Sequence, residues 1–214
     1  STATSHLATE GITGSRVLEV GDVMYDAARF YGDRAGSRTE LLGRLGVETG
    51  GFLLATVHRA ENTDAAERMD AIVEAFVALG SDHRIVLPLH PRTRAVLERR
   101  GDLSRLSESI TICEPLGYLD MVALERDAAL VVTDSGGVQK EAFFHGTPCI
   151  TLRDETEWVE LVEAGWNRIL PPTGCDAIVA GVHDAIGSSG EPIKPYGQGD
   201  AADRIVDALA GVVA

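Results

Sequence analysis

Thr133-Asp134-Ser135-Gly136-Gly137-Val138-Gln139-Lys140-Glu141 is the stretch that most narrowly limits what this chain folds into. Ala129-Leu130-Val131-Val132 before it is a short apolar, β-branched run that reads as a buried strand, and Gln139 to His145 after it reads as a helix. Ser135-Gly136-Gly137 is then a strand-to-helix turn at the carboxyl end of a strand. In an open α/β sheet ligands bind at that edge, where free backbone N–H groups and the positive end of the helix dipole converge. Two successive glycines let backbone approach a phosphate closely, and Ser135 adds a hydroxyl. Glu141, about one turn along, is a carboxylate able to accept from paired ribose hydroxyls. The turn points to a nucleotide diphosphate, although such turns also occur where a strand merely joins a helix.

Working outward, the same pattern repeats. Phe52-Leu53-Leu54-Ala55-Thr56-Val57 reads as a buried strand that runs into the polar cluster His58-Arg59-Ala60-Glu61-Asn62-Thr63-Asp64. Ile85-Val86-Leu87-Pro88-Leu89 leads to His90-Pro91-Arg92-Thr93 and a basic helix through Arg99-Arg100. Ile110-Thr111-Ile112-Cys113 ends at Glu114-Pro115-Leu116-Gly117-Tyr118 before a helix carrying Met121, Val122 and Leu124, and Cys149-Ile150-Thr151-Leu152 leads into Arg153-Asp154-Glu155-Thr156-Glu157-Trp158. Asn167-Arg168-Ile169-Leu170 is the last expected strand, stopped by Pro171-Pro172, with helices at Asp176–Ile186 and around Ala201–Val213. Towards the start, a helix over Thr4–Glu10 capped by Gly11, a strand over Arg16–Val20, a helix near Val23–Tyr31, a loop over Gly32–Ser37 and a short helix to Leu45 are expected. Met69, Ile72, Val73, Phe76 and Leu79 form a core stripe. Strands alternating with helices at this spacing predict an α/β fold, a doubly wound parallel sheet of Rossmann-like type, with the polar tips on one edge.

The composition bounds the partners. With 214 residues and 44% hydrophobic residues the chain can build one large core. The net charge of −14 repels nucleic acid and anionic membrane surfaces, so neither is an expected partner. No apolar run approaches the roughly 20 residues a bilayer span needs, and no signal peptide is recognised, so a cytoplasmic location is expected. The chain starts at Ser1 rather than Met, which fits processing or a piece of a longer protein. Cys113, Cys149 and Cys175 are widely spaced without a CxxC and read as reduced, packed thiols. His58 and His90 lack zinc-ligand spacing, and Asp154, Glu155 and Glu157 do not form a calcium loop, so no metal is expected. A Walker lysine motif, G-x-G-x-x-G and G-x-S-x-G are all missing, which removes kinase-like, dehydrogenase and α/β-hydrolase readings.

His58 at a strand end is read either as a structural hydrogen-bonded histidine or as a group that orients or stabilises a departing diphosphate; its neighbours Arg59, Glu61 and Asn62 favour the second. Arg153 reads as an ion-pair partner of Asp154 or Glu157, and Trp158 as packing rather than a stacking platform.

Taken together, Thr56-Val57-His58-Arg59-Ala60-Glu61-Asn62-Thr63, His90-Pro91-Arg92-Thr93, Glu114-Pro115-Leu116-Gly117-Tyr118-Leu119, the stretch Thr133–Glu141 and Pro195-Tyr196-Gly197 resemble the non-hydrolysing UDP-N-acetylglucosamine 2-epimerases. The resemblance runs in order from Gly11 to the terminal helix. It implies two Rossmann-like domains of glycosyltransferase-B type with the active site between them, of which this chain resembles the second. Residues 1–14 are then a lead-in helix from the end of an N-terminal domain that is not here, 15–194 the UDP-binding domain and 195–214 a C-terminal helix. The implied reaction inverts C2 of a UDP-sugar by elimination of UDP and its re-addition, with no cofactor.

By the same resemblance His58 matches the active-site histidine near the diphosphate, Ser135, Gly136 and Gly137 the phosphate turn, Glu141 the ribose carboxylate, and Leu116 and Met121 the uracil site. Arg59 and His90 match positions that touch an activating second UDP-sugar in some members. The implied partners are a UDP-sugar, the missing N-terminal domain and, for the full-length protein, a second copy in a homodimer. Many members have Arg where this chain has Trp158. Glu157-Trp158-Val159-Glu160, Gly21-Asp22-Val23-Met24 and Lys140-Glu141-Ala142-Phe143-Phe144 more closely resemble a subgroup acting on UDP-2,3-diacetamido-2,3-dideoxyglucuronate. The first expectation is UDP-GlcNAc to UDP-ManNAc epimerisation, the second the same chemistry on that glucuronate. A sugar-nucleotide glycosyltransferase domain and a stand-alone UDP-sugar sensor are the rival readings.

Overall fold

The computed structural model describes residues 2–35 and 39–211. Six parallel strands form one sheet in the order β3-β2-β1-β4-β5-β6: β1 Phe52–Thr56, β2 Arg84–Pro88, β3 Thr111–Cys113, β4 Leu130–Thr133, β5 Cys149–Thr151 and β6 Asn167–Ile169. This is the doubly wound Rossmann order, in which the chain reverses direction across the sheet between β1 and β4. Register there pairs Leu53 with Leu130 and Thr56 with Thr133, so the two strands end side by side.

Alternation of side chains explains why helices cover both faces. Leu53, Ala55, Ile85, Leu87, Leu130, Val132 and Ile150 share one buried cluster with Met69, Ile72 and Phe76 of α5 (Ala66–Leu79), Leu97 of α6 (Pro91–Arg100), Leu106 of α7 (Asp102–Ser109) and Ile178 of α11 (Cys175–Ala185). Phe52, Leu54, Val86 and Val131 point the other way, onto Leu41 and Leu42 of α3 (Thr39–Leu45), Leu124 of α8 (Tyr118–Asp127) and Ala142 of α9 (Gly136–His145). Helix α2 (Val23–Ala35) lies over α8 and α9. The chain also forms α1 (Thr2–Thr9), the short α4 (Ala60–Thr63) and α10 (Val159–Glu163), and α12 (Ala201–Leu209). Among the described residues no helix is long and apolar enough to cross a membrane.

Three local expectations are corrected. Arg16–Val20 is not a strand: a single 3₁₀ turn at Gly14–Arg16 is followed by extended chain outside the sheet. Apolar alternation there meets no free sheet edge; the segment instead runs to the C-terminal stretch, where Asp22 N–H donates to the Tyr196 carbonyl at 3.1 Å, and Leu18 stays exposed. The basic helix through Arg100 is followed directly by a second helix, because Gly101 takes the left-handed conformation (φ 78°) that ends α6 and begins α7. The loop expected over Gly32–Ser37 is helical as far as Ala35, and its remaining residues lie outside the described ones, as do the last two of the terminal helix expected to reach Val213.

Candidate functional site

All strands run the same way, so the polar segments after β1, β2, β3, β4 and β5 share one edge. Two of them meet at the β1/β4 reversal through Asp134, whose side chain is fully buried. Oδ2 accepts from the backbone N–H of His58 at 3.0 Å, of Arg59 at 2.9 Å and from Asn62 Nδ2 at 3.0 Å. Oδ1 lies 3.1 Å from the His58 N–H and 3.3 Å from His58 Nδ1. One carboxylate thus clamps the loop after β1 to the end of β4. With Nδ1 turned to Asp134, Nε2 is the ring atom of His58 left for a ligand. The neighbouring hydroxyls Thr56 and Thr133 bond each other at 2.5 Å, and Thr133 also accepts from the Ser135 N–H at 2.9 Å, which fixes the entry to the turn. Asn62 is held in turn by Leu152 carbonyl and Arg68 Nε, each at 3.0 Å.

The turn itself is poised for an anion. Ser135 is the N-cap of α9, but its side chain makes no cap bond, so the first-turn N–H groups keep their unpaired donors. Neither Gly136 nor Gly137 has positive φ. A Cβ on Gly136 would lie 3.6 Å from both Glu157 Oε2 and Trp158 Nε1, and one on Gly137 3.9 Å from Met24 Cε, all ordinary contacts. The protein itself therefore does not forbid side chains there; what the glycines keep open is the space over the N–H groups.

Trp158, expected to pack, also donates Nε1–H to the Gly136 carbonyl at 2.8 Å. Its ring lies 4.2 Å from Lys140 Nζ, which is buried, pairs with Asp22 and also sits 4.7 Å from the Tyr196 ring. Arg153 pairs with Glu157 through two bonds of 2.8 and 3.0 Å, one of the two partners expected for it, and this holds the Glu157 carboxyl down to about 2.

The remaining candidates fall into two groups beside the turn. On the β1–β2 side, the rings of His58 and His90 are 5.4 Å apart; Arg59 lies 3.7 Å from Glu61 and keeps Nη1 buried without a hydrogen-bond partner. His90 caps α6 by accepting from the Arg92 N–H at 3.1 Å. On the β3–β4 side, Leu116 and Met121 are partly buried against the α3 cluster, and Glu141 lies near the Tyr118 hydroxyl. Burial raises the Glu141 carboxyl above the ordinary range, while the Tyr118 hydroxyl and Lys140 oppose that. Glu141 stands on α9 just past the glycine turn, and His58 is tied through Asp134 to the strand end just before it.

Sequence reasoning missed Asp134, Asn62, Tyr118 and Lys140 as organisers of the site. Asp134 stood in the quoted motif, and a carboxylate one residue before a glycine turn, facing an Asn four residues after a strand-end histidine, is a signal for such a clamp.

Comparison with known proteins agrees with this geometry. Residues 1–210 match the family model described as UDP-N-acetylglucosamine 2-epimerase. The chain is 45% identical over 212 residues to UDP-2,3-diacetamido-2,3-dideoxy-D-glucuronate 2-epimerase of Pseudomonas aeruginosa, covering 97% of this chain and 57% of that protein. It is 36% identical over 215 residues to UDP-N-acetylglucosamine 2-epimerase of Methanocaldococcus jannaschii, covering 97% and 58%. The crystal structure of the M. jannaschii UDP-GlcNAc 2-epimerase in complex with UDP-GlcNAc and UDP superposes with a TM-score of 0.86 at 34% identity, over 98% of this chain and 59% of that one. The chain thus spans well under two thirds of the length of these relatives. A match along nearly all of its own length, on the fold whose strand order sets its glycine turn beside His58, means that the chain belongs to the UDP-N-acetylglucosamine 2-epimerase family.

Proposed function

We propose that this chain supplies the nucleotide-binding half of an epimerase that inverts C2 of a UDP-N-acetylhexosamine, converting UDP-GlcNAc to UDP-ManNAc by eliminating and re-adding UDP. The observation that carries the reading is the Asp134 clamp, which ties the loop bearing His58 to the strand end that leads into the open N-terminus of α9. In this reading Ser135, Gly136 and Gly137 hold the diphosphate, and His58 Nε2 stabilises its charge as the C1–O bond breaks. Glu141 accepts from the ribose hydroxyls, and Leu116 and Met121 border the uracil. His90 and the unpartnered Nη1 of Arg59 receive a second nucleotide sugar as activator.

Residues 1–14 form the lead-in from an N-terminal domain, 15–194 the UDP-binding domain and 195–214 the returning C-terminal helix of a glycosyltransferase-B type fold. The N-terminal domain supplies the carboxylates that move the C2 proton, and the full-length protein works as a cytoplasmic homodimer. The shared length of 57% with a longer relative supports this division. No metal or cofactor enters the scheme.

A second reading, the same inversion on UDP-2,3-diacetamido-2,3-dideoxyglucuronate, is favoured by one observation: identity is 45% to the relative named for that sugar against 36% to the M. jannaschii enzyme.

Calorimetric titration of the chain with UDP tests the nucleotide half. Saturable binding, weakened about tenfold or more by Glu141→Ala, is expected; a folded chain that binds no UDP overturns the assignment. Joined to its missing domain, the protein is expected to incorporate solvent deuterium at C2, whereas transfer of the sugar to an acceptor without such exchange would establish the glycosyltransferase alternative.

A further inference from the structure

Gln139 lies on the opening turn of α9, fully buried, and no step of the proposed reaction uses it. Its Oε1 accepts from Thr156 Oγ1 at 2.6 Å and from Asn167 Nδ2 at 3.0 Å, which fills both lone pairs of that oxygen. Asn167 Oδ1 accepts in turn from the Thr151 hydroxyl at 2.8 Å. One buried carboxamide thus ties the end of β5, the start of β6 and the loop after β5 to the start of α9.

The loop returns to the same helix two residues later. Trp158 N–H donates to Thr156 Oγ1 at 3.2 Å, and the Trp158 indole donates to the Gly136 carbonyl at 2.8 Å. Gln139, Thr156, Trp158 and Gly136 therefore close a ring, with both ends of it on the opening turn of α9. Thr156 Oγ1 is its joint, because it donates to Gln139 and accepts from Trp158 at once. The indole is held by further neighbours as well: Lys140 Nζ lies 4.2 Å from the ring, and the Tyr196 ring meets it at 82° with centroids 6.3 Å apart.

What this ring of bonds fixes is one peptide group. The Gly136 carbonyl and the Gly137 N–H belong to the same trans peptide, in which the two point in opposite directions. A donor on the carbonyl therefore sets the direction of that N–H, and by drawing charge towards the oxygen it makes the N–H a stronger donor. The Gly137 N–H is one of the groups at the helix start that have no partner within the helix.

We propose that Gln139 and Thr156 are positioning residues for phosphate binding: they hold Trp158 so that its indole, through the peptide shared by Gly136 and Gly137, aims the Gly137 N–H at the diphosphate of the nucleotide. Neither side chain touches the ligand. The inference rests on the nucleotide reading above and extends it to the residues behind the turn.

The test is a double-mutant cycle in UDP affinity, measured by calorimetry on this chain. Thr156→Val keeps the shape of the side chain and removes the hydroxyl; UDP binding is expected to weaken about fivefold, as for loss of the indole donor itself in Trp158→Phe. Thr156→Ser keeps a hydroxyl and is expected to bind within about twofold of wild type. Thr156→Val combined with Trp158→Phe is expected to bind no more weakly than Trp158→Phe alone, because Thr156 acts only through the indole. A second readout needs no nucleotide. The chain has two indole N–H groups, and in ¹H–¹⁵N spectra Thr156→Val and Gln139→Met are expected to shift the Trp158 resonance towards that of an unbonded indole, while Trp166, which donates to the Glu191 carbonyl at 2.7 Å, stays in place. Unchanged affinity of Thr156→Val, additive losses in the double variant, or an unmoved Trp158 resonance overturns the positioning role while leaving the nucleotide reading intact. A folded wild type that binds no UDP overturns the nucleotide reading, and the role with it.

Discussion

The indole N–H of Trp158 donates to the carbonyl of Gly136 at 2.8 Å, joining the loop after β5 to the glycine turn after β4. The bond fixes the turn from its carbonyl side and leaves its N–H groups open. Trp158→Phe removes the donor while keeping an aromatic ring near Lys140. The expected outcome is a loss of about 1 kcal/mol in UDP binding, or roughly fivefold in Kd, with little change in unfolding temperature, measured by calorimetry and thermal melts.

Gly136→Ala separates binding from folding. The added Cβ meets Glu157 and Trp158 at 3.6 Å, an ordinary contact, and the backbone is not in the left-handed region. Stability is expected to stay within about 0.5 kcal/mol of wild type or to rise slightly, because alanine restricts the unfolded chain. The methyl occupies the space over the N–H groups, so UDP affinity is expected to fall about tenfold or more. Unchanged affinity would remove the glycine turn from the phosphate site.

Asp134→Asn is expected to act on stability first. Three N–H donors converge on Oδ2 in a fully buried place, and an amide accepts them more weakly than a carboxylate. A cost of about 2 kcal/mol, seen as a fall of roughly 4–8 °C in Tm, is expected. His58→Ala, at a side chain 39% exposed, is expected to leave Tm within about 2 °C. On the proposed function it is expected to abolish activity of the protein joined to its N-terminal domain, so the pair of variants distinguishes the clamp from the group it positions.

His145 gives the fold a defined acid sensitivity. Burial first, and the nearby Arg126 second, lower its pKa from 6.5 to about 4. Its buried Nε2 has no partner. Because the unfolded chain takes up the proton first, stability falls as pH drops below about 6.5 and levels off below about 4. The part due to this ring is expected to be about 3 kcal/mol at pH 4, read as the difference between urea unfolding of wild type and of His145→Gln. Equal slopes for both proteins between pH 6.5 and 4 would contradict the assignment.

The parts of the fold legible in the sequence are those set by local pattern. Strand runs such as Leu130–Thr133, buried on both faces, announce themselves by β-branched apolar residues, and Ser135-Gly136-Gly137 announces a turn. Arg16–Val20 misled because alternation reports an amphipathic extended segment, not whether a sheet edge is free to receive it. The site was legible residue by residue but not in its joins. Nothing local to Asp134 says that it will face the N–H groups of His58 and Arg59, since that meeting depends on β1 and β4 becoming neighbours. Tyr118 was quoted as part of a motif and given no role, because it comes near Glu141 only once α8 lies against α9. Glu125 looked like any charged helix residue, and only the packing of α2, α8 and α9 around it removes it from water.

The hydroxyl pair Thr56 and Thr133 spans 77 residues of sequence, and the Asp134 clamp spans nearly as many. A link of that length closes late, after the more local β1–β2 and β4–β5 units have formed, because its loop-closure entropy must be met first. The meeting of the His58 loop with the glycine turn therefore depends on the β1–β2 and β4–β5 units docking through β1 and β4. In kinetic terms, nucleotide in the refolding buffer is expected to slow unfolding of the finished protein while leaving the folding rate unchanged, since the transition state has no complete site for it to occupy.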